Sequence, residues 1–283
     1  MRKIHMRGRG PHLPPLDQIV QYDFEPGYVV FTMPCPKRLR VQVGGEILAD
    51  TVNALLLYES DHLPAYYFPL ADLRMELLTA SPTTTKCPFK GVASYLHFAA
   101  NGRQVTDLVW RYANPMPQCP AIGDYASFIW NKVDHWFEED EEIFVHARDP
   151  FRRVDCLPSS RRVRIEVDGV VVAESWRAVF LFETGLPTRY YLPLEDVRRE
   201  YLGQSRFETR CPYKGLARYY DLDVGGTQLK DKVWYYPEPV HEAARIKGLV
   251  AFPNEFVEIF VDGVRQERPI TTFSHGYAQI SPR

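Results

Sequence analysis

The chain has 283 residues, a formal net charge of −2 and five cysteines, with apolar residues at 45% and charged residues at 25%. That is an ordinary globular balance with room for two cores, and its slight acidity gives no basic footprint for nucleic acid. No apolar run approaches the length of a membrane span. The odd cysteine count without a C-x-x-C pair argues against a disulfide framework or a zinc knuckle, so a reducing cytoplasm is expected. Tyr (17), Phe (16) and Pro (23) are plentiful, which favours strands joined by tight turns.

The first 25 residues carry a basic cluster, Met1–Arg9, and a Gly/Pro/His stretch, Gly8–Pro15. No apolar segment follows, so they are expected to be an N-terminal extension and not a secretory signal.

From residue 26 onward the chain repeats itself. Cys87-Pro88-Phe89-Lys90-Gly91 returns as Cys211-Pro212-Tyr213-Lys214-Gly215. The offset is 211 − 87 = 124. It also carries Tyr66-Tyr67 to Tyr190-Tyr191, Pro69 to Pro193, Trp110 to Trp234 and Tyr112 to Tyr236. The register runs without a gap from Pro26/Pro150 to Val133/Val257, with roughly a third of positions identical, which chance does not produce. Two similar small β domains are therefore expected, residues 26–139 and 161–263. A crossover at 140–160 would join them and a tail at 264–283 would follow. The two would pack as an intramolecular pseudo-dimer.

The second copy gives the clearer pattern. Val163–Val167 and Val170–Ala173 flank Asp168-Gly169, a type I′ hairpin signal, and Gly44-Gly45 stands at the same place in the first copy. Ala178–Glu183 and Arg189–Leu192 are expected as strands. A short helix is expected from Pro193 to about Leu202, with Leu194, Val197 and Tyr201 on one face. A loop over 203–212 and a hairpin across Gly225-Gly226 follow. After them come a helical turn near Glu242–Ile246 and a last turn at Asp262-Gly263. The fold class is mostly β: curved antiparallel sheets with one or two short helices per domain.

Four groups could carry chemistry. In Cys211-Pro212-Tyr213-Lys214-Gly215 an ammonium near a sulfur would favour thiolate; the plainer reading is a buried cysteine before a turn. In the stretch Glu183 to Tyr191, an Arg189 fork with the Tyr190 or Tyr191 hydroxyl suits a carboxylate or phosphate; otherwise Arg189 pins the turn through Glu183. Ala65 stands where Arg189 does, so the first copy would lack that function. Asp196 and Glu200, four apart, could do acid–base work, but first-turn acids are common on ordinary helices. Trp234 and its neighbouring tyrosines could line a pocket or a core. The eight histidines are scattered and no phosphate loop occurs, so no metal and no cofactor are expected.

The strings R-Y-Y-L-P-L-E-D-V-R-R-E, T-R-C-P-Y-K-G and V-W-Y-Y-P-E-P, in that order, resemble the bacterial and fungal family called domain of unknown function 427. The resemblance covers about 38–139 and 162–263. It implies a small mostly-β domain present twice, and it brings no settled activity. A nucleotidyltransferase-type name is attached to the family. The Gly-Ser pair with spaced aspartates that such chemistry uses is not in this sequence, and that activity is not carried over.

Three readings follow. The first is a small-molecule-binding domain pair, or an enzyme acting on a small anionic ligand. Its site lies in the second copy, with Glu183, Arg189, Tyr190, Tyr191, Tyr213 and Trp234 binding and Cys211 and Lys214 as reactive groups. The second is a Cys- or Lys-dependent hydrolase, transferase or lyase. The third is a structural or protein-interaction module using sheet edges. The sequence assigns neither a substrate nor an oligomeric state.

Overall fold

In the computed structural model, residues 20–22 and 25–275 are described. The basic cluster Met1–Arg9 and the end of the tail lie outside them. The chain divides into two compact units, the first ending at Asp149 and the second starting at Pro150.

Each unit is a large antiparallel sheet faced by a small one, and the strand order is the same in both. In the second unit the large sheet runs 154–158, 179–183, 189–192, 250–251, 227–235, 215–224 and 202–211. In the first unit the order is 25–34, 55–59, 65–69, 125–128, 103–111, 91–100 and 78–87, with one extra edge strand, Val20–Tyr22, on 25–34. The small sheets run 170–175, 163–167, 258–261, 264–265 and 46–51, 39–43, 135–138, 141–143. One strand order shows that the repeat in sequence is a repeat in topology.

Turn chemistry explains the hairpins. Asp168-Gly169, Gly225-Gly226 and Asp262-Gly263 all have positive φ at both positions, as do Gly44-Gly45 and Asn101-Gly102. Two left-handed residues in succession match the twist of the flanking strands.

The core of the second unit lies between its sheets. Val163, Ile165 and Val167 of the small sheet face Phe180, Tyr190, Leu192, Leu222 and Val233 of the large one. The other face of the large sheet is also covered. Leu181, Tyr191, Ala217 and Tyr219 pack there with Ala243 and Ile246 of the 3-10 segment His241–Ile246. Tyr190 and Tyr191 point to opposite faces, as neighbours on a strand must, and both are buried because both faces are covered.

Two expectations are corrected. The helix over Pro193–Leu202 is replaced by two 3-10 turns, Leu194–Asp196 and Arg199–Tyr201. The small sheet takes the backbone between them: Arg198 N–H donates to Val172 O at 2.9 Å and Val197 bridges Ala173. The helical spacing of Leu194, Val197 and Tyr201 still meets the core. It marks three anchors and not a continuous helix, and Asp196 and Glu200 do not share a helix face. Residues 203–212 are not a loop either, because Leu202–Cys211 is an edge strand paired with Gly215–Val224. Its alternation is hidden because most of it is exposed on both sides and its register shifts between Gln204 and Glu208.

The limits also differ from those read in sequence. Glu141–Ile143 belongs to the first unit, whereas Val154–Pro158 is a strand of the second, so 140–160 is not one crossover. Val264–Arg265 extends the second small sheet past 263.

The polar framework repeats with the fold. Arg38–Asp50 has its counterpart in Arg162–Glu174. Thr51 Oγ1 donates to Asp72 at 2.6 Å and Ser175 Oγ to Asp196 at 2.7 Å. Asp107 and Asp231, both at positive φ inside a strand, each accept from a serine hydroxyl, Ser81 and Ser205. Contacts kept in both units are those the scaffold needs.

Candidate functional site

The Cys-Pro-x-Lys-Gly turn closes the hairpin between the last two strands of each large sheet, where Cys87 pairs with Gly91 and Cys211 with Gly215. Gly91 and Gly215 sit at φ +106° and +100°, which L side chains rarely adopt. A Cβ on Gly215 would stand 3.2 Å from Glu238 O, so the close approach this glycine permits is to its own chain.

The turn folds the lysine back beneath the sheet. Lys214 Nζ meets Glu183 Oε2, and Lys90 Nζ meets Glu59 Oε2. Both pairs are buried: the side chains are 11% and 4% exposed in the second unit and 8% and 9% in the first. A further donor completes each cluster and differs between the copies. In the first unit Tyr28 OH donates to Glu59 Oε1 at 2.8 Å, with Cys87 Sγ 4.0 Å from the same oxygen. In the second, Arg152 Nη1 donates to Glu183 Oε1 at 3.1 Å. Tyr28 stacks on Phe89 with centroids 3.6 Å apart, and Arg152 lies over Tyr213 at 5.6 Å. Arg152 is Tyr28 plus 124, so one position holds a neutral donor in one copy and a cation in the other.

Arg189 lies on the same face. It is opposite Leu181, which shares a face with Glu183 two residues on. Its guanidinium meets Glu255 through two bonds, Nη1 to Oε2 at 2.7 Å and Nη2 to Oε1 at 2.6 Å, and Nη1 also reaches Asn254 Oδ1 at 3.1 Å. Its partner is therefore Glu255 and not Glu183. It lies over Trp234 at 5.7 Å, whose indole N–H donates to Tyr191 OH at 2.9 Å. Burial pushes the Tyr191 hydroxyl far above its ordinary pKa, so it stays protonated.

Burial pushes the Glu255 carboxyl up, but hydrogen bonds from Arg189 and Thr271 outweigh it and hold the group below the usual range. The sign follows: a depressed folded pKa gives stability that is complete above the unfolded value of about 4.3 and is lost as pH falls through the folded one. Amide exchange around Asn254 and Glu255, taken relative to the intrinsic rate at each pH, is expected to be flat from neutral pH down to about pH 5 and to accelerate below about pH 4. Equal acceleration in Glu255→Gln would refute this origin.

The face thus brings together Glu183, Arg189, Tyr191, Lys214, Trp234 and, at its edge, Tyr213. Cys211 packs against the same cluster. Tyr190 does not join them; it meets Phe180 edge-on at 4.8 Å on the opposite face. Arg152, Asn254, Glu255 and Thr271 escaped the sequence reading. Arg152 had a signal, since the offset of 124 aligns it with Tyr28, but it fell in the presumed crossover. Glu255 aligns with Asn131 as Arg189 does with Ala65, so the acid and base of that pair are both particular to the second copy.

An open depression beside the turn after Glu183 is lined by Arg153, Asp155, Phe182, Thr184, Leu186 and Thr188 with Glu183. Among the described residues no group of three or more His, Cys, Asp or Glu could hold a metal ion. No helix among them is long and apolar enough to cross a membrane.

Fold and site define a tandem pair of small antiparallel β domains, each with a buried Lys–Glu pair under one face of its large sheet. The chain belongs to the family described as Domain of unknown function (DUF427), whose profile matches it twice, over residues 32–139 and 155–263. No curated protein matches it.

Proposed function

We propose that the protein binds a small anionic molecule on the large-sheet face of the second unit, at the cluster of Arg152, Glu183, Arg189 and Lys214. The observation that supports this is charge. In the second unit three cations, Arg152, Lys214 and Arg189, stand against two carboxylates, Glu183 and Glu255. The same positions in the first unit are Tyr28, Lys90, Ala65, Glu59 and Asn131, one cation against one carboxylate. One positive charge is in excess only where the copies diverge. At a half-buried site with aromatic walls, an anion offsets that charge more strongly than it would in water. Arg152, with 28% of its side chain exposed, is the cation that a ligand reaches first.

The shared Cys–Glu–Lys arrangement carries less weight as an enzymatic centre. It occurs in both units, and in each the lysine nitrogen is already engaged by the glutamate.

Calorimetric titration with inorganic phosphate, sulfate, acetate and citrate tests the proposal. At least one is expected to bind, and Arg152→Tyr, which installs the first copy's residue, is expected to weaken it about tenfold or more, the loss of one charged hydrogen bond. If none binds, or if Arg152→Tyr and Arg189→Ala both leave affinity unchanged, the reading fails.

A further inference from the structure

The contact around Arg189 extends beyond the domain. The family match ends at 263, and the chain continues through Val264–Arg265 into a segment without strands. Gln266 N–H donates to Ile259 O at 2.8 Å and Arg268 Nη2 to Glu258 Oε1 at 3.0 Å. The segment then returns to the site: Thr271 Oγ1 donates to Glu255 Oε1 at 2.6 Å. That oxygen is the one that receives Arg189 Nη2. A tight turn fixes the threonine, with Thr271 N–H donating to Ser274 Oγ at 2.9 Å and Phe273 N–H to Thr271 Oγ1 at 3.1 Å. Ile270 between the two anchors is 92% exposed.

We propose that residues 266–275 form a strap that competes with the ligand for Arg189. This rests on the reading of Arg189 as part of the anion site. An anion that takes the guanidinium must displace Glu255, whose side chain is only 2% exposed. A carboxylate does not remain unpaired at that depth, so Glu255 moves out. Thr271 loses its acceptor when it does, and the turn 271–274 is released. The converse holds by linkage: while Thr271 holds Glu255 in place, the closed pair is favoured and the ligand binds more weakly. The first unit lacks this ion pair, since Ala65 and Asn131 stand where Arg189 and Glu255 do.

The experiment compares the full chain, a chain ending at Arg268 and Thr271→Val, each titrated with inorganic phosphate and with citrate. Amide exchange of residues 271–275 is followed in the full chain with and without each anion. Both variants are expected to bind about fivefold tighter, the low end of ordinary coupling, and exchange at 271–275 is expected to quicken several-fold when an anion is bound. Arg189→Ala is expected to quicken the same amides without any anion. If the full chain binds an anion but the variants bind it equally and exchange is unchanged, the strap is wrong and the anion site stands. If neither full nor shortened chain binds, the anion site is wrong and the competition goes with it.

Discussion

Lys90→Met is expected to destabilise the first unit by about 3–5 kcal/mol, the usual cost of leaving one member of a buried ion pair behind. Among the described residues Glu59 would keep the Tyr28 hydroxyl at 2.8 Å and the weak Cys87 contact at 4.0 Å. Lys214→Met should cost clearly less, because Arg152 still stands 3.1 Å from Glu183. Combining Lys90→Met with Glu59→Gln should recover much of the loss, since the buried charge goes with its partner. Urea unfolding followed by amide exchange in the strands 55–59 and 179–183 reads each unit separately. A cost below about 1 kcal/mol for Lys90→Met would mean that the pair behaves as a solvated surface bridge.

Trp136→Ala is expected to cost the first unit a comparable amount, about 3–5 kcal/mol. Trp136 is buried and lies face to face on Trp130, with centroids 4.2 Å apart and planes 4° from parallel. Phe68 and Phe128 meet it at 6.1 and 6.0 Å. Its indole N–H donates to Trp130 O at 3.2 Å, so truncation opens a large void and also removes one of that carbonyl's two donors, leaving Val133 N–H at 3.3 Å. In the second unit Ile259 takes that place, pairing with Ile165 as Trp136 pairs with Val41, and Ile259→Ala should cost less, near the low end of about 2–5 kcal/mol. Denaturant midpoints of the two variants decide this. Equal losses would show that the tryptophan stack adds nothing beyond the burial of one apolar side chain.

Much of the fold was legible because β structure writes short-range rules into sequence. Asp168-Gly169 and Asp262-Gly263 need two left-handed residues, and few pairs other than Asp-Gly, Asn-Gly and Gly-Gly supply them. The failures have physical causes as well. Leu194, Val197 and Tyr201 keep helical spacing because three anchors on one core need it, yet Arg198 N–H bonds a strand, and no local pattern announces that competition. Leu202–Cys211 lacks alternation because an edge strand exposed on both sides has no inner face to mark.

For the site, the sequence by itself determined the two-copy register, the Cys-Pro-x-Lys-Gly turns and the divergence of Arg189 from Ala65. Tertiary structure alone decided the partners. Lys214 meets Glu183 from 31 residues away and Arg189 meets Glu255 from 66, and both separations are set by how strands order across a sheet. It also decided that Tyr190 and Tyr191 are both buried, since covering the second face depends on where a 3-10 segment fifty residues on comes to rest. Turn and repeat signals are local and survive in one dimension, whereas the pairing of distant charges is fixed only when the chain closes on itself.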